Sequence, residues 1–217
     1  MGRQLVQWMA GLVGYPPQAG GDLTSGGSMA NLTAIITARE TMGMRARMVE
    51  SGCIYATSDA HHCIDKAIRA AGLADCQHRQ VPMDERFRMD VSALRQLILE
   101  DKAAGLRPWL IIASAGTTDT GAVDPVDAIA EVAEQHDLWL HVDAAYGGFF
   151  LLCDEGRAVL GGLSRAHSIV LDPHKGMFLP YGSGAVLVRD EEWLAQSQAY
   201  QADYMQDART TGADYSP

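Results

Sequence analysis

Residues 109–143 read WLIIASAGTTDTGAVDPVDAIAEVAEQHDLWLHVD. The stretch opens on an apolar run of strand length, Trp109 to Ser114, and closes on another, Leu138 to Val142. Between them, Val126 to His136 places apolar residues three and four apart, the spacing of one helix face. Asp124-Pro125 supplies a start signal for that helix: a capping acid, then proline at the first helical position. The same alternation extends outward. Strand-like runs recur at Cys53 to Thr57, Ser168 to Leu171 and Ala185 to Val188. Helical spacing recurs at Met29 to Glu50, Ile64 to Ala71 and Val91 to Ala104, the last with Asp90 placed to cap it. Strands alternating with helices predict an α/β fold, a mostly parallel sheet with helices on both faces. Ligands in such folds bind at the carboxyl ends of the strands, so the chemistry is expected just after them.

The composition fits one α/β domain or two small ones. The chain has 217 residues, 47% of them hydrophobic and 20% charged, which excludes disorder and allows a core without disulfide or metal staples. A net charge of −10 argues against nucleic acid or an anionic membrane as a partner. The four cysteines (Cys53, Cys63, Cys76 and Cys153) form no C-x-x-C pair, so no disulfide framework or zinc site is expected. They read as reduced thiols of a cytoplasmic protein. No apolar run approaches the ~20 residues of a membrane span. Leu5 to Val13 reads as an amphipathic helix, not a signal peptide. The basic residues are 14 arginines and only three lysines, so a reaction that needs an amine has three candidates, Lys66, Lys102 and Lys175.

Four clusters carry the unusual residues. Thr24-Ser25-Gly26-Gly27-Ser28 stands directly before a helical pattern. Adjacent glycines let backbone N–H groups approach an anion, and a helix N-terminus favours negative charge. No Gly-Lys-Ser/Thr follows, so the loop is not a Walker P-loop, and a capped turn is the plainer reading. His141-Val142-Asp143 ends an apolar strand, and period-two alternation puts His141 and Asp143 on one face. Small residues follow, leaving room for a flat ligand; alone, Asp143 reads as a loop-capping acid. No metal-ligand spacing accompanies His141. Asp172-Pro173-His174-Lys175 follows a strand and presents a lysine as a Schiff-base nucleophile, since partial burial lowers an amine's pKa. Lys66 and Lys102 lie in helical patterns among polar neighbours and read as surface lysines. Ser58-Asp59-Ala60-His61-His62 follows another strand, and one of its histidines can stack on an aromatic ligand or serve as a cap. The order of the four is the informative feature: anion loop, His, Asp, Lys. It matches what pyridoxal phosphate requires, namely a phosphate cradle, a stacking face, an acid at the pyridine nitrogen and an amine for the aldehyde.

At this point the sequence resembles the pyridoxal-phosphate-dependent amino-acid decarboxylases of the aromatic-amino-acid and glutamate decarboxylase group (group II). The matching segments are TSGGSMAN at 24–31, SDAH at 58–61 with Lys66-Ala67 following, GTT at 116–118, HVDAAY at 141–146 and DPHK at 172–175. The resemblance implies the aspartate-aminotransferase-like fold (fold type I), with a seven-stranded, largely parallel sheet. It implies that Lys175 holds the cofactor as a Schiff base, that Asp143 pairs with the protonated pyridine nitrogen, and that His61 stacks on the ring opposite Ala145. It places Gly27, Ser28 and His174 at the phosphate, Thr118 near the 3′ oxygen, and Tyr204 as a mobile-loop acid that protonates the product carbon. The reaction it implies is decarboxylation of an L-amino acid to a primary amine and CO2. Three positions depart from the family pattern: Asp172 replaces Asn, Gly176 replaces Trp, and His62 replaces Ser. Relatives are much longer, which implies that residues 1–217 are a cofactor-binding large domain without the N-terminal segment and C-terminal small domain. In its full-length form, the resemblance implies a homodimer. The same residues also suit an aminotransferase, a carbon–carbon lyase or a non-catalytic cofactor-binding fragment. A histidine-based metal hydrolase is the remaining reading, and it predicts loss of activity with a chelator.

Overall fold

The apolar runs form one sheet. The computed structural model describes residues 2–198. Within them, seven strands lie in the order β1-β7-β6-β5-β4-β2-β3. They are β1 (Gly20–Thr24), β2 (Gly52–Ala56), β3 (Gln77–Gln80), β4 (Arg107–Ser114), β5 (Trp139–Asp143), β6 (Ser168–Leu171) and β7 (Gly184–Val188). Every neighbouring pair from β6 to β3 is parallel. Only β7 runs against its neighbours, β6 and β1. The helices are α1 (Gly2–Val13), α2 (Gly27–Thr41), α3 (Cys63–Ala70), α4 (Val91–Ala103), α5 (Val126–His136), α6 (Asp154–Val159), α7 (Pro173–Gly176) and α8 (Glu191–Gln198).

Strand alternation divides the core between the two faces. Leu140 and Val142 of β5 pack with residues of α1, α4 and α5. Trp139 of β5 points the other way, into a cluster with residues of α2 and α3. Ala30 and Ala34 of α2 meet Val170 of β6 and Val186 of β7. Helices on both faces of a largely parallel sheet therefore match the predicted class. Asp90 caps α4 as expected, accepting from the Ser92 and Ala93 N–H groups.

Three expectations need correction. The pattern from Met29 to Glu50 is not one helix. Here α2 stops at Thr41, Gly43 takes a left-handed φ of 63°, and a short 3-10 helix follows at Ala46–Met48. The turn lets Met44 fold back into the core. Two strands carry no apolar run. β1 and β3 are the two edges of the sheet, each with one strand neighbour, and edge strands can be polar. Asp124 does not cap α5. Its carboxylate accepts the Met89 and Ser114 N–H groups, each at 2.7 Å, and so ties β4 to the loop before α4.

Candidate active site

A cleft of about 410 Å³ opens at the carboxyl edge of the sheet. The segments that follow β2, β4, β5 and β6 converge there, with the start of α2 after β1. This is the location the strand–helix alternation predicts.

The first turn of α2 forms one wall. A helix leaves its first amides without intrahelical partners, so the Gly27 and Ser28 N–H groups face the cleft side unbonded by the helix itself. The first turn carries no acidic residue. Gly27 is required by space: a Cβ there would lie 2.8 Å from Asp172 Oδ2 and 3.3 Å from the Ala145 Cβ. His174 of α7 lines the same end, with its Nδ1–H donated to the Ser183 carbonyl.

Asp143 lies at the end of β5. Ala145 N–H donates to its Oδ1 at 3.1 Å, and Asn31 Nδ2 donates to its Oδ2 at 3.1 Å. Burial pushes its carboxyl pKa up, and these two donors work against that. His61 follows β2. Its Nδ1 accepts the Cys63 N–H at 3.2 Å, which leaves the hydrogen on Nε2. Burial, and then the neighbouring His62, lower the His61 pKa, so the ring stays neutral. Thr118 presents an exposed hydroxyl after β4. Its neighbour Thr117 is occupied structurally, bonding Thr120 and accepting the Ala122 N–H.

Lys175 Nζ stands 3.1 Å from Asp172 Oδ2. Its side chain is 38% exposed, and the amine is paired with a carboxylate. Asp172 itself is only 1% exposed, and its Oδ1 has no partner.

The cleft therefore brings together Gly27, Ser28, His61, Thr118, Asp143, Ala145, His174 and Lys175. Tyr204 lies outside the described residues. Lys66 and Lys102 sit on exposed helix surface, as the surface reading predicts. Asn31, Ser114, Asp172 and Tyr181 also line the cleft. Asn31 had a legible signal, since it falls one turn beyond Gly27 on the same helix face. Tyr181 had none; its ring packs edge-on to His174 at 4.9 Å between centroids. Among the described residues no group of three or more His, Cys, Asp or Glu is placed to hold a metal ion.

The chain is similar to known proteins over nearly its whole described length. The pyridoxal-dependent decarboxylase conserved domain matches residues 1–216. An aromatic-L-amino-acid decarboxylase of Bacillus atrophaeus is 38% identical over 94% of this chain and 42% of its own length. An L-2,4-diaminobutyrate decarboxylase of Rhizobium meliloti (strain 1021) is 39% identical over 94% of this chain and 40% of its own length. Among solved structures, Oryza sativa TDC with PLP and tryptamine superposes with a TM-score of 0.88 at 30% identity, over 96% of this chain and 46% of that one. The chain thus spans about two-fifths of the length of the curated relatives it matches.

Proposed function

The chain belongs to the pyridoxal-dependent decarboxylase family, and from that premise we propose that residues 1–217 form the cofactor-binding large domain of an enzyme that decarboxylates an L-amino acid to a primary amine and CO2. One observation carries the reading. An amine, a half-buried carboxylate, an imidazole with a lowered pKa and a helix N-terminus line a single cleft at the carboxyl edge of the sheet. These residues fit pyridoxal phosphate. The cradle at Gly27 is one a Cβ would fill, the helix dipole favours an anion there, and Asp143 suits a cationic ring nitrogen.

When bound, pyridoxal phosphate supplies an aldehyde for an amine and a ring that accepts the electrons of the broken carbon–carbon bond. In this reading Lys175, now paired with Asp172, is the amine that would hold the cofactor through its aldehyde. The Gly27 and Ser28 N–H groups and His174 hold the phosphate, and the Thr118 hydroxyl holds the 3′ oxygen. The His61 ring and Ala145, which line the same cleft, would pack against the two faces of the cofactor ring. The Asp143 carboxylate would keep a proton at the ring nitrogen, since a neighbouring opposite charge raises a base's pKa by about 1–3 units. Tyr204 delivers the proton to the product carbon.

The working enzyme is a homodimer in this reading. Tyr181 at the cleft and Phe178 three residues before it, 92% and 93% exposed, are large side chains suited to a partner surface. Free cysteines suit a reducing cytoplasm. No helix among the described residues is long and apolar enough to cross a membrane.

The test is product analysis across amino acids, with trapping of the amine. CO2 with a primary amine is expected, and borohydride should fix the cofactor on the peptide containing Lys175. Lys175→Ala should carry no such adduct. A keto acid as product, or an adduct on Lys66 or Lys102, overturns the reading.

A further inference from the structure

From Asp143 a chain of buried polar groups runs from the cleft wall at Asn31 into the core. Asn31, His141, Ser168 and Trp139 are all at most 1% exposed. Asn31 Nδ2 donates to Asp143 Oδ2. Asn31 Oδ1 lies 2.8 Å from His141 Nε2, and His141 Nδ1 lies 2.8 Å from Ser168 Oγ. Trp139 Nε1 lies 2.9 Å from the same Ser168 Oγ.

Donor and acceptor chemistry fixes the direction of this chain. An indole N–H can only donate, so Ser168 Oγ accepts from Trp139. The Ser168 hydroxyl hydrogen then has His141 Nδ1 as its acceptor. His141 is therefore the tautomer with hydrogen on Nε2, which donates to Asn31 Oδ1. That bond leaves the Asn31 amide nitrogen facing Asp143, and its second hydrogen reaches Cys63 Sγ at 3.5 Å. Every group is satisfied in this direction. Reversing it requires a protonated Asp143 donating to a flipped Asn31. His141 then carries its hydrogen on Nδ1 and donates to Ser168, leaving the Ser168 hydroxyl hydrogen with no acceptor among the described residues. A buried donor left unpaired is penalised.

We propose that Trp139, Ser168, His141 and Asn31 are positioning residues that hold Asp143 as an oriented carboxylate. The donor-only indole sets the direction, and the charge of Asp143 is its far end. The relay offsets the burial that would otherwise make Asp143 a neutral acid, unable to hold a proton on a ring nitrogen. The titratable groups facing Asp143 are Lys175 from α7, His61 from the loop before α3, and Cys63 from α3. They are unaltered by a change at His141. This role rests on the cofactor reading above, but the direction of the relay does not.

The first measurement needs neither cofactor nor variant. Nitrogen NMR of the histidine-labelled protein should show a neutral His141 with hydrogen on Nε2 from about pH 5.5 to 8. Hydrogen on Nδ1 overturns the proposal. The second uses pyridoxal phosphate labelled at its ring nitrogen. His141→Phe removes the donor to Asn31 and should lower the pH at which that nitrogen loses its proton by about one unit. His141→Gln, which restores an N–H near the Nε2 position, should stay close to wild type. Bound cofactor with the same titration in all three proteins overturns the relay but spares the site. Failure of the wild-type protein to bind the cofactor overturns the site reading and the role of the relay in it, while the tautomer measurement still decides its direction.

Discussion

Asp172 is buried beside the proposed phosphate cradle, with one oxygen on Lys175 and the other without a partner. A negative charge there opposes an incoming phosphate. At an effective dielectric constant near 20, two unit charges ~4 Å apart interact by about 4 kcal/mol. The compensating contact comes from Lys175, whose side chain is 38% exposed and therefore partly screened, although Asp172 itself is buried. Asp172→Asn keeps the shape and removes the charge. It should tighten pyridoxal phosphate binding by about tenfold or more, as read by fluorescence titration of the protein. Weaker binding would show that Asp172 serves the site through Lys175, not as a charge near the phosphate. Asp172 was visible in the sequence as a departure from the family pattern. Its burial and orphaned oxygen were not, because both depend on Gly27 and Gly184 closing over it from distant parts of the chain.

At the level of elements, the site depends on how closely α2 lies against the sheet. Ala30 and Ala34 stand one turn apart on its buried face and meet Val170, Val186 and Ala145. Small side chains there bring the helix N-terminus to the ends of β5 and β6. Ala34→Leu overfills this seam and should destabilise the protein by about 1–3 kcal/mol in a denaturant titration. It should also weaken cofactor binding, because the first turn of α2 moves away from Lys175. An exposed change such as Leu99→Ala should do neither and stay within about 0.5 kcal/mol. Unchanged cofactor affinity in Ala34→Leu would mean that the cradle does not depend on this packing. The central strands were legible because burial on both faces demands continuous apolar runs, as in Trp109 to Ser114. The edge strands β1 and β3 were not, since one strand neighbour and a half-exposed pattern leave no such demand. The early end of α2 escaped notice because apolar spacing continues through Met42 and Met44, while the left-handed Gly43 breaks the helix. Asp124-Pro125 carries a helix-start signal, yet its acid is claimed by two tertiary N–H groups, which sequence spacing cannot register.

Across the whole molecule, acid sensitivity follows from the buried imidazoles. Burial lowers the pKa of His141 to about 4, and burial together with the charge of Arg189 lowers His167 to about 4. Both ordinarily titrate near 6.5. Between these limits the unfolded chain binds protons that the folded chain refuses. Stability therefore falls as the pH drops from about 6.5 toward 4, and is fully retained above that range. At 1.36 kcal/mol per pKa unit, His141 alone contributes roughly 3 kcal/mol, a large part of the 5–15 kcal/mol of a typical domain. Asp22, Asp124 and Asp143 work in the opposite sense. Burial raises their pKa values, so the folded state holds their protons more tightly and gains some stability at the acid end. Comparing slopes isolates the histidine. Without added cofactor, which would itself stabilise the folded state, the urea midpoint of the wild-type protein should fall steadily between pH 6.5 and 4.5. His141→Gln keeps an N–H for Asn31 but gives up the packing of the buried ring, so it lowers stability at pH 7, and it should flatten the pH dependence by roughly one proton's worth. An equal slope in both proteins would mean that His141 becomes protonated without unfolding the chain. That result is incompatible with its 0% exposure and its enclosure between Asn31 and Ser168.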